Sequence, residues 1–167
     1  VTPVFGSTTI VHDTIKHNVV SNCSGNGIGF AKGSGSGSYD YAVAESNIIY
    51  NSGWGNSGIC NSGLSMWEPV NSDTLPGVHL TMRGNFSYAN INSYHSSSMY
   101  CQNTNLTSDG NGIIFDQPGT TGTSFTGLML IENNIMVGNG GAGFICTDCS
   151  TGQVIVRNNT SWGNKVD

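Results

Sequence analysis

The chain has 167 residues, 24 of them glycine, and a net charge of −5 from five Lys and Arg against ten Asp and Glu. That length fits one domain, and an acidic chain without a basic stripe excludes nucleic acid and anionic membrane surfaces as partners. No apolar run approaches a membrane span, and no sustained 3.6-residue apolar stripe predicts helix.

In chain order, one short pattern recurs as TIKHNVVSN (14–22), VAESNIIYN (43–51), TMRGNFSYA (81–89), LIENNIMVGN (130–139) and IVRNNTSWGN (155–164). Aligned on the central residue, the copies stack Asn18, Asn47, Asn85, Asn134 and Asn159. A glycine followed by an apolar residue comes next in GNGIGF (25–30), NSGICN (56–61), GNGIIFD (110–116) and GAGFIC (141–146). Repeats of this size, with short β-branched runs between Asn- and Gly-rich corners, predict an all-β solenoid. The expected form is a right-handed, single-stranded parallel β-helix of about five coils. Inward strand residues such as Ile48, Ile135 and Ile155 would supply its core.

Two residues before each asparagine stand Lys16, Glu45, Arg83, Glu132 and Arg157, alternating in sign at every step. Equivalent positions on neighbouring coils lie roughly 4.8 Å apart. Facing opposite charges attract there by a few tenths to about 1 kcal/mol, whereas like charges repel. The column therefore reads as a solvated ion-pair ladder and fixes the register independently of the asparagines.

The intervals between asparagines are 29, 38, 49 and 25 residues. The excess in the third falls in residues 90–108, a polar, aromatic-containing insertion and not an extra coil. Smaller insertions are expected at 65–77 and in the flexible GSGSGS of 33–38. Insertions of this kind gather on one face of a solenoid, often the binding face. The whole chain, 1–167, is expected to be one domain. Its pattern starts almost at once and stops at Trp162-Gly163-Asn164, so a fragment lacking caps, or a stack continued by a neighbour, is expected. With no charged-then-apolar leader, any signal peptide is expected to be already removed or outside the sequence.

Five cysteines and several Asn-x-Ser/Thr sequons favour an extracellular, oxidising compartment. Cys146 and Cys149 are expected to form a disulfide and Cys60 to pair with Cys101, leaving Cys23 over. Zinc is disfavoured because no second Cys/His pair at metal spacing accompanies them. Asn105 is the best candidate glycosylation acceptor and Asn22 another. Asn85 and Asn159 carry sequons but belong to the inward ladder.

NIIYNSGWGNSGI, SDGNGIIFD, LIENNIMVGNGGAGF and VIVRNNTSWGN resemble the repeats of the pectate-lyase-like superfamily of right-handed β-helix proteins, over nearly the whole chain. The resemblance implies the fold, and for many members a secreted polysaccharide lyase or glycoside hydrolase. The same coils also serve non-catalytic tailspikes and adhesins, so activity must rest on a site. Hydrolases need two carboxyls, about 5–5.5 Å apart for retention or 6.5–9.5 Å for inversion. Lyases need a base, commonly with Ca²⁺ held by Asp and Glu.

The catalytic candidates are Asp109 and Asp116, flanking GNGIIF, with Asp148 one coil on and Glu68 reaching over from the second-coil insertion. Asp109, Asp116 and Asp148 would also be the ligands if Ca²⁺ is bound. Trp67, Tyr94 and Tyr100 offer stacking surfaces to sugar rings. The alternative for Asp109 and Asp116 is that they are corner residues capping local backbone groups. Three of the five basic residues stand in the ladder, which leaves no Arg or Lys expected beside the acids. Hydrolysis or plain binding is thereby favoured over lyase chemistry. Two functions follow: a secreted protein acting on polysaccharide, or a non-catalytic structural or adhesive module that stacks end to end.

Overall fold

A computed structural model describes residues 9–32, 38–55, 61–92, 109–118 and 125–165, and all regular structure among them is β-strand. The chain runs β1 (Thr9–Val11), β2 (Thr14–Lys16), β3 (Val19–Ser21), β4 (Ile28–Ala31), β5 (Ser38–Asp40), β6 (Val43–Glu45), β7 (Ile48–Tyr50) and β8 (Leu64–Trp67). It continues through β9 (Val78–Arg83), β10 (Phe86–Tyr88), β11 (Ile113–Asp116), β12 (Leu128–Glu132), β13 (Ile135–Val137), β14 (Phe144–Cys146), β15 (Gln153–Arg157) and β16 (Thr160–Trp162).

Three stacked parallel sheets result, ordered β15-β12-β9-β6-β2, β16-β13-β10-β7-β3 and β14-β11-β8-β4, with β1 and β5 as a separate pair. Successive passages lay β2-β3-β4, β6-β7-β8, β9-β10-β11 and β12-β13-β14 across the three sheets in turn, and β15 and β16 extend two of them, a parallel β-solenoid arrangement. Such short strands could not hold alone; each is paired with the equivalent strand of a neighbouring passage, and those inside the stack on both sides.

The corners explain why the sequence winds this way. Before each ladder asparagine stands a residue in the left-handed conformation: His17, Ser46, Gly84, Asn133 and Asn158, with φ between 54° and 63°. That residue turns the chain and aims the asparagine inward. Asn47, Asn85 and Asn134 are almost wholly buried. At every step the Oδ1 of the later asparagine accepts both the backbone N–H and the Nδ2–H of the earlier one, at 2.9–3.1 Å. The second Nδ2 proton goes to a carbonyl one passage back, Ile15, Ala44, Met82 and Ile131 in turn, at 2.9–3.0 Å. For Asn47, Asn85 and Asn134 all four hydrogen-bonding valences of the amide are thereby used.

A second ladder stands five residues on, unforeseen in the sequence reading. Asn90 Oδ1 accepts from Ser52 N at 3.1 Å, Asn139 Oδ1 from Asn90, and Asn164 Oδ1 from Asn139. The repeated Asn-x-x-x-x-Asn of Asn85/Asn90, Asn134/Asn139 and Asn159/Asn164 was the available signal. This ladder also accounts for the glycine of the Gly-apolar motif. A Cβ on Gly112 would lie 2.8 Å from both Asn139 Nδ2 and the Gly143 carbonyl.

The charged column is as expected. Register pairs Lys16 with Glu45, Glu45 with Arg83, Arg83 with Glu132 and Glu132 with Arg157. Arg83 Nη2 reaches Glu45 Oε2 at 3.1 Å, and Arg157 Nη2 reaches Glu132 Oε2 at 2.7 Å, both pairs facing solvent. Since Arg83 and Glu132 are direct strand partners, no further strand of that sheet intervenes between them; residues 93–108 of the expected insertion lie outside the described residues.

Three expectations need correction. Ile48, Ile135 and Ile155 face outward, 39%, 44% and 40% exposed, and the core is built by Ile49, Met136 and Met129 instead. Strand side chains alternate; the inward Asn47 and Asn134 put Ile48 and Ile135 outside and Ile49 and Met136 inside, and in β15 Ile155 shares the face of the outward Arg157. Second, Leu64, and not Ile59, is the register partner of Ile28 and Ile113. The near-duplicate NSGIC NSGLS contains both, and the later copy forms the strand. Third, Ser65, Met66 and Trp67 belong to β8, so the insertion assigned to 65–77 leaves the coil only after Glu68.

Asn134→Ala should cost about 2–4 kcal/mol, because several buried donors and acceptors lose their partner together. That corresponds to a melting temperature roughly 5–15 °C lower. The exposed Gln153→Ala should stay near wild type. Thermal unfolding followed by circular dichroism compares the two, and equal shifts would refute the ladder's structural role.

Candidate functional site

β4, β8, β11 and β14 end side by side, and their register creates two adjacent columns. Ala31, Trp67 and Asp116 are direct partners, followed by Thr147 next to the paired Phe115 and Cys146. One residue on come Lys32, Glu68, Gln117 and Asp148. Glu68, Gln117 and Asp148 have φ of 46°, 55° and 50°, so they turn the chain at this corner. Backbone bonds continue the stack through it, Glu68 N to Asp116 O and Gln117 N to Thr147 O.

Asp116 is the central group. Its Oδ1 accepts the Thr147 hydroxyl at 2.7 Å. Burial is the main influence and pushes its pKa up; the Thr147 bond opposes this, while the charges of Glu68 and Asp148 add to it, and the net direction is upward. A carboxyl kept in its acid form to higher pH than usual is suited to proton donation. Trp67 is 37% exposed beside it, and its indole N–H donates to Gln117 Oε1 at 3.4 Å.

Three of the four acid candidates therefore share one edge: Asp116 on its strand, with Glu68 and Asp148 at the corners of the adjacent passages. Asp109 lies at the other end of β11, where Asn111 Nδ2 donates to it at 3.1 Å. Burial, and secondarily the charge of Asp116, pushes its pKa up to about 7. Contrary to expectation, the acids have a basic neighbour, since Lys32 Nζ lies 3.8 Å from Glu68 Oε2. Placing the second Gly-apolar strand at NSGICN (56–61) hid this. Counted from Leu64, Glu68 falls in register with Lys32, Gln117 and Asp148. Among the described residues no group of three or more His, Cys, Asp or Glu side chains is arranged to hold a metal ion.

Cys146 and Cys149 form a disulfide, with Cα atoms 5.9 Å apart. Cys23 is in no disulfide among the described residues. Asn22 is exposed and accepts a hydrogen bond from Asn51 Nδ2. Tyr94, Tyr100, Cys60, Cys101 and Asn105 lie outside the described residues.

Sequence reasoning missed a second polar group altogether. Asp40 and His79 are buried together, and Tyr41 stacks on the His79 ring with centroids 4.2 Å apart. The Tyr41 hydroxyl donates to Asp73 at 2.9 Å. No repeat marks these residues, so nothing in the pattern could have joined them.

Compared with family models, with curated proteins and with solved structures, the chain finds no match.

The Asp109 shift carries a pH signature. Its folded pKa of about 7 stands above its ordinary 3.8, so between these values the folded state binds the extra proton. The stability lost by ionising it then grows as pH rises from about 4 to about 7. Asp109→Asn should raise the melting temperature at pH 8, and the gain should vanish near pH 4. Melting curves across that range check it; an equal offset at both ends would contradict the shift.

Proposed function

We propose that this chain is a secreted, right-handed, single-stranded β-helix of about five coils, of the pectate-lyase-like kind, that cleaves a polysaccharide. Right-handedness follows from the strong preference of parallel strand–crossover–strand connections. The observation that carries the activity is Asp116, a partly buried carboxyl with raised pKa standing between Glu68 and Asp148 beside the exposed Trp67. Two like-charged neighbours around a buried acid are costly in a plain scaffold and useful at a reactive edge.

In this reading Asp116 protonates the glycosidic oxygen, and Glu68 or Asp148 assists water or attacks the anomeric carbon. Trp67 stacks on a sugar ring, as Tyr94 and Tyr100 would from the 90–108 insertion. Lys32, held near Glu68, is available to a uronate carboxylate. It reopens the lyase version of the reaction, in which a base takes the proton next to that carboxylate. An extracellular location is supported by the Cys146–Cys149 disulfide.

A second reading has its own support. Val19, Ile48, Phe86 and Ile135 are exposed in one register row on the face of the β16-β13-β10-β7-β3 sheet. Such an apolar row suits a structural or adhesive module. Its end-to-end stacking would use the edges of β14, β15 and β16, which have no further strand partner among the described residues and offer a template for association.

Asp116→Asn should abolish cleavage of neutral and uronate polysaccharides while leaving the melting temperature equal or higher. Reducing-end release reports hydrolysis, and an ultraviolet-absorbing unsaturated product reports elimination. If wild-type protein cleaves nothing in such a panel and sediments as a concentration-dependent assembly, the structural reading replaces the enzymatic one.

A further inference from the structure

His79 sits where β9 carries one residue more than its partner: Leu128 pairs with Val78, and Met129 already pairs with Leu80. A bulge of this kind re-aims the extra side chain. Here the imidazole is turned into a site with only 1% of its side chain exposed, against an Asp40 side chain that is 0% exposed. Nδ1 lies 2.9 and 3.1 Å from the two Asp40 oxygens, and Nε2 lies 2.9 Å from the Leu75 carbonyl.

Both ring nitrogens therefore face acceptors. A neutral imidazole has one N–H and one lone pair, and only the doubly protonated ring donates to both partners. Asp40 is arranged to be the anion. Besides His79 it accepts Tyr41 N at 2.8 Å, Ser72 N at 2.7 Å and Ser72 Oγ at 3.0 Å. Asn71 Nδ2, 3.4 Å from Nδ1, is a donor near the ring but lies farther than either Asp40 oxygen.

What the pair holds is the segment after Glu68. Ser72 is bound to Asp40, Asp73 to the Tyr41 hydroxyl and the Leu75 amide, and the Leu75 carbonyl to His79. We propose that protonated His79 is a latch that fastens residues 69–77 to the solenoid, and that its deprotonation releases them at Leu75. A neutral ring that keeps its Nδ1–H on Asp40 turns a lone pair on the Leu75 carbonyl, which loses its donor and is repelled.

The charged and titratable groups that face the ring are few. Asp40 comes from the end of β5 and Asp73 from the latched segment. Tyr41 stacks on the ring with His12 stacked beyond it, at centroid distances of 4.2 and 4.7 Å. Phe125 closes the remaining side edge-on at 6.0 Å. Burial draws the His79 pKa down, but the Leu75 carbonyl, Asp40 and Asp73 together outweigh it, and the net direction is upward. The latch is thus fully fastened below the ordinary histidine value of about 6.5 and loosens as pH rises through the higher folded value. This is independent of any carbohydrate chemistry.

The test is amide hydrogen exchange of Val70, Ser72 and Leu75 in the whole chain between pH 5.5 and 8.5, corrected for intrinsic base-catalysed exchange. Wild type should lose corrected protection at these amides on going from pH 5.5 to pH 8.5. His79→Gln should show low protection at both ends of the range. Nitrogen NMR of the wild-type ring supplies a readout that needs no variant and should report both nitrogens protonated at pH 6. Unchanged corrected protection across the range, or a neutral single-tautomer ring at pH 6, would overturn the latch.

Discussion

The asparagine amide carried from one passage of the chain to the next is the interaction on which this structure depends. Strands of three to six residues expose backbone donors and acceptors at each turn, and buried groups of that kind must find partners. A column of inward asparagines answers the need repeatedly, because each side chain both closes its own corner and offers an acceptor to the passage below. Asn47, Asn85 and Asn134 do this along the first column, and Asn90 and Asn139 along the second. The left-handed residues preceding them and the glycines facing them are consequences of that geometry.

With the amides inside, charge is left for the outside and the edges. Lys16, Glu45, Arg83, Glu132 and Arg157 follow the solenoid in alternation, where water screens them and neighbours of opposite sign are matched. At the corner after β8, β11 and β14 the rule breaks. Glu68 and Asp148 share a column with Lys32 and flank Asp116, and burial with two negative neighbours raises the Asp116 pKa. A local break in an otherwise consistent pattern is where a functional site is sought first. The His79–Asp40 pair is a second break, away from this edge and built on a bulge.

Much of this was legible in the residues. The five asparagines and the alternating charges could be aligned by eye, because a solenoid copies its corner constraints into the sequence at each turn. Parity was harder. Choosing Ile48 and Ile135 as core residues ignored that an inward asparagine sends its immediate neighbour outward, and choosing Ile155 ignored that it shares the face of the outward Arg157. The second-coil anchor went astray because two near-identical candidates, Ile59 and Leu64, stand five residues apart. That error then concealed Lys32 as a neighbour of Glu68.

The sequence by itself determined the fold class, the columns and the grouping of Asp116 with Asp148. Each is set by local rules that recur at every passage, so the chain spells them several times over. Only the tertiary structure decided which Gly-apolar copy forms β8 and that Asp109 stands apart from Asp116 along β11. It alone joined His79 to Asp40, 39 residues away. These depend on single contacts made once, between segments whose meeting is governed by loop length and a one-residue bulge. A contact that is not repeated leaves no period in the sequence to read.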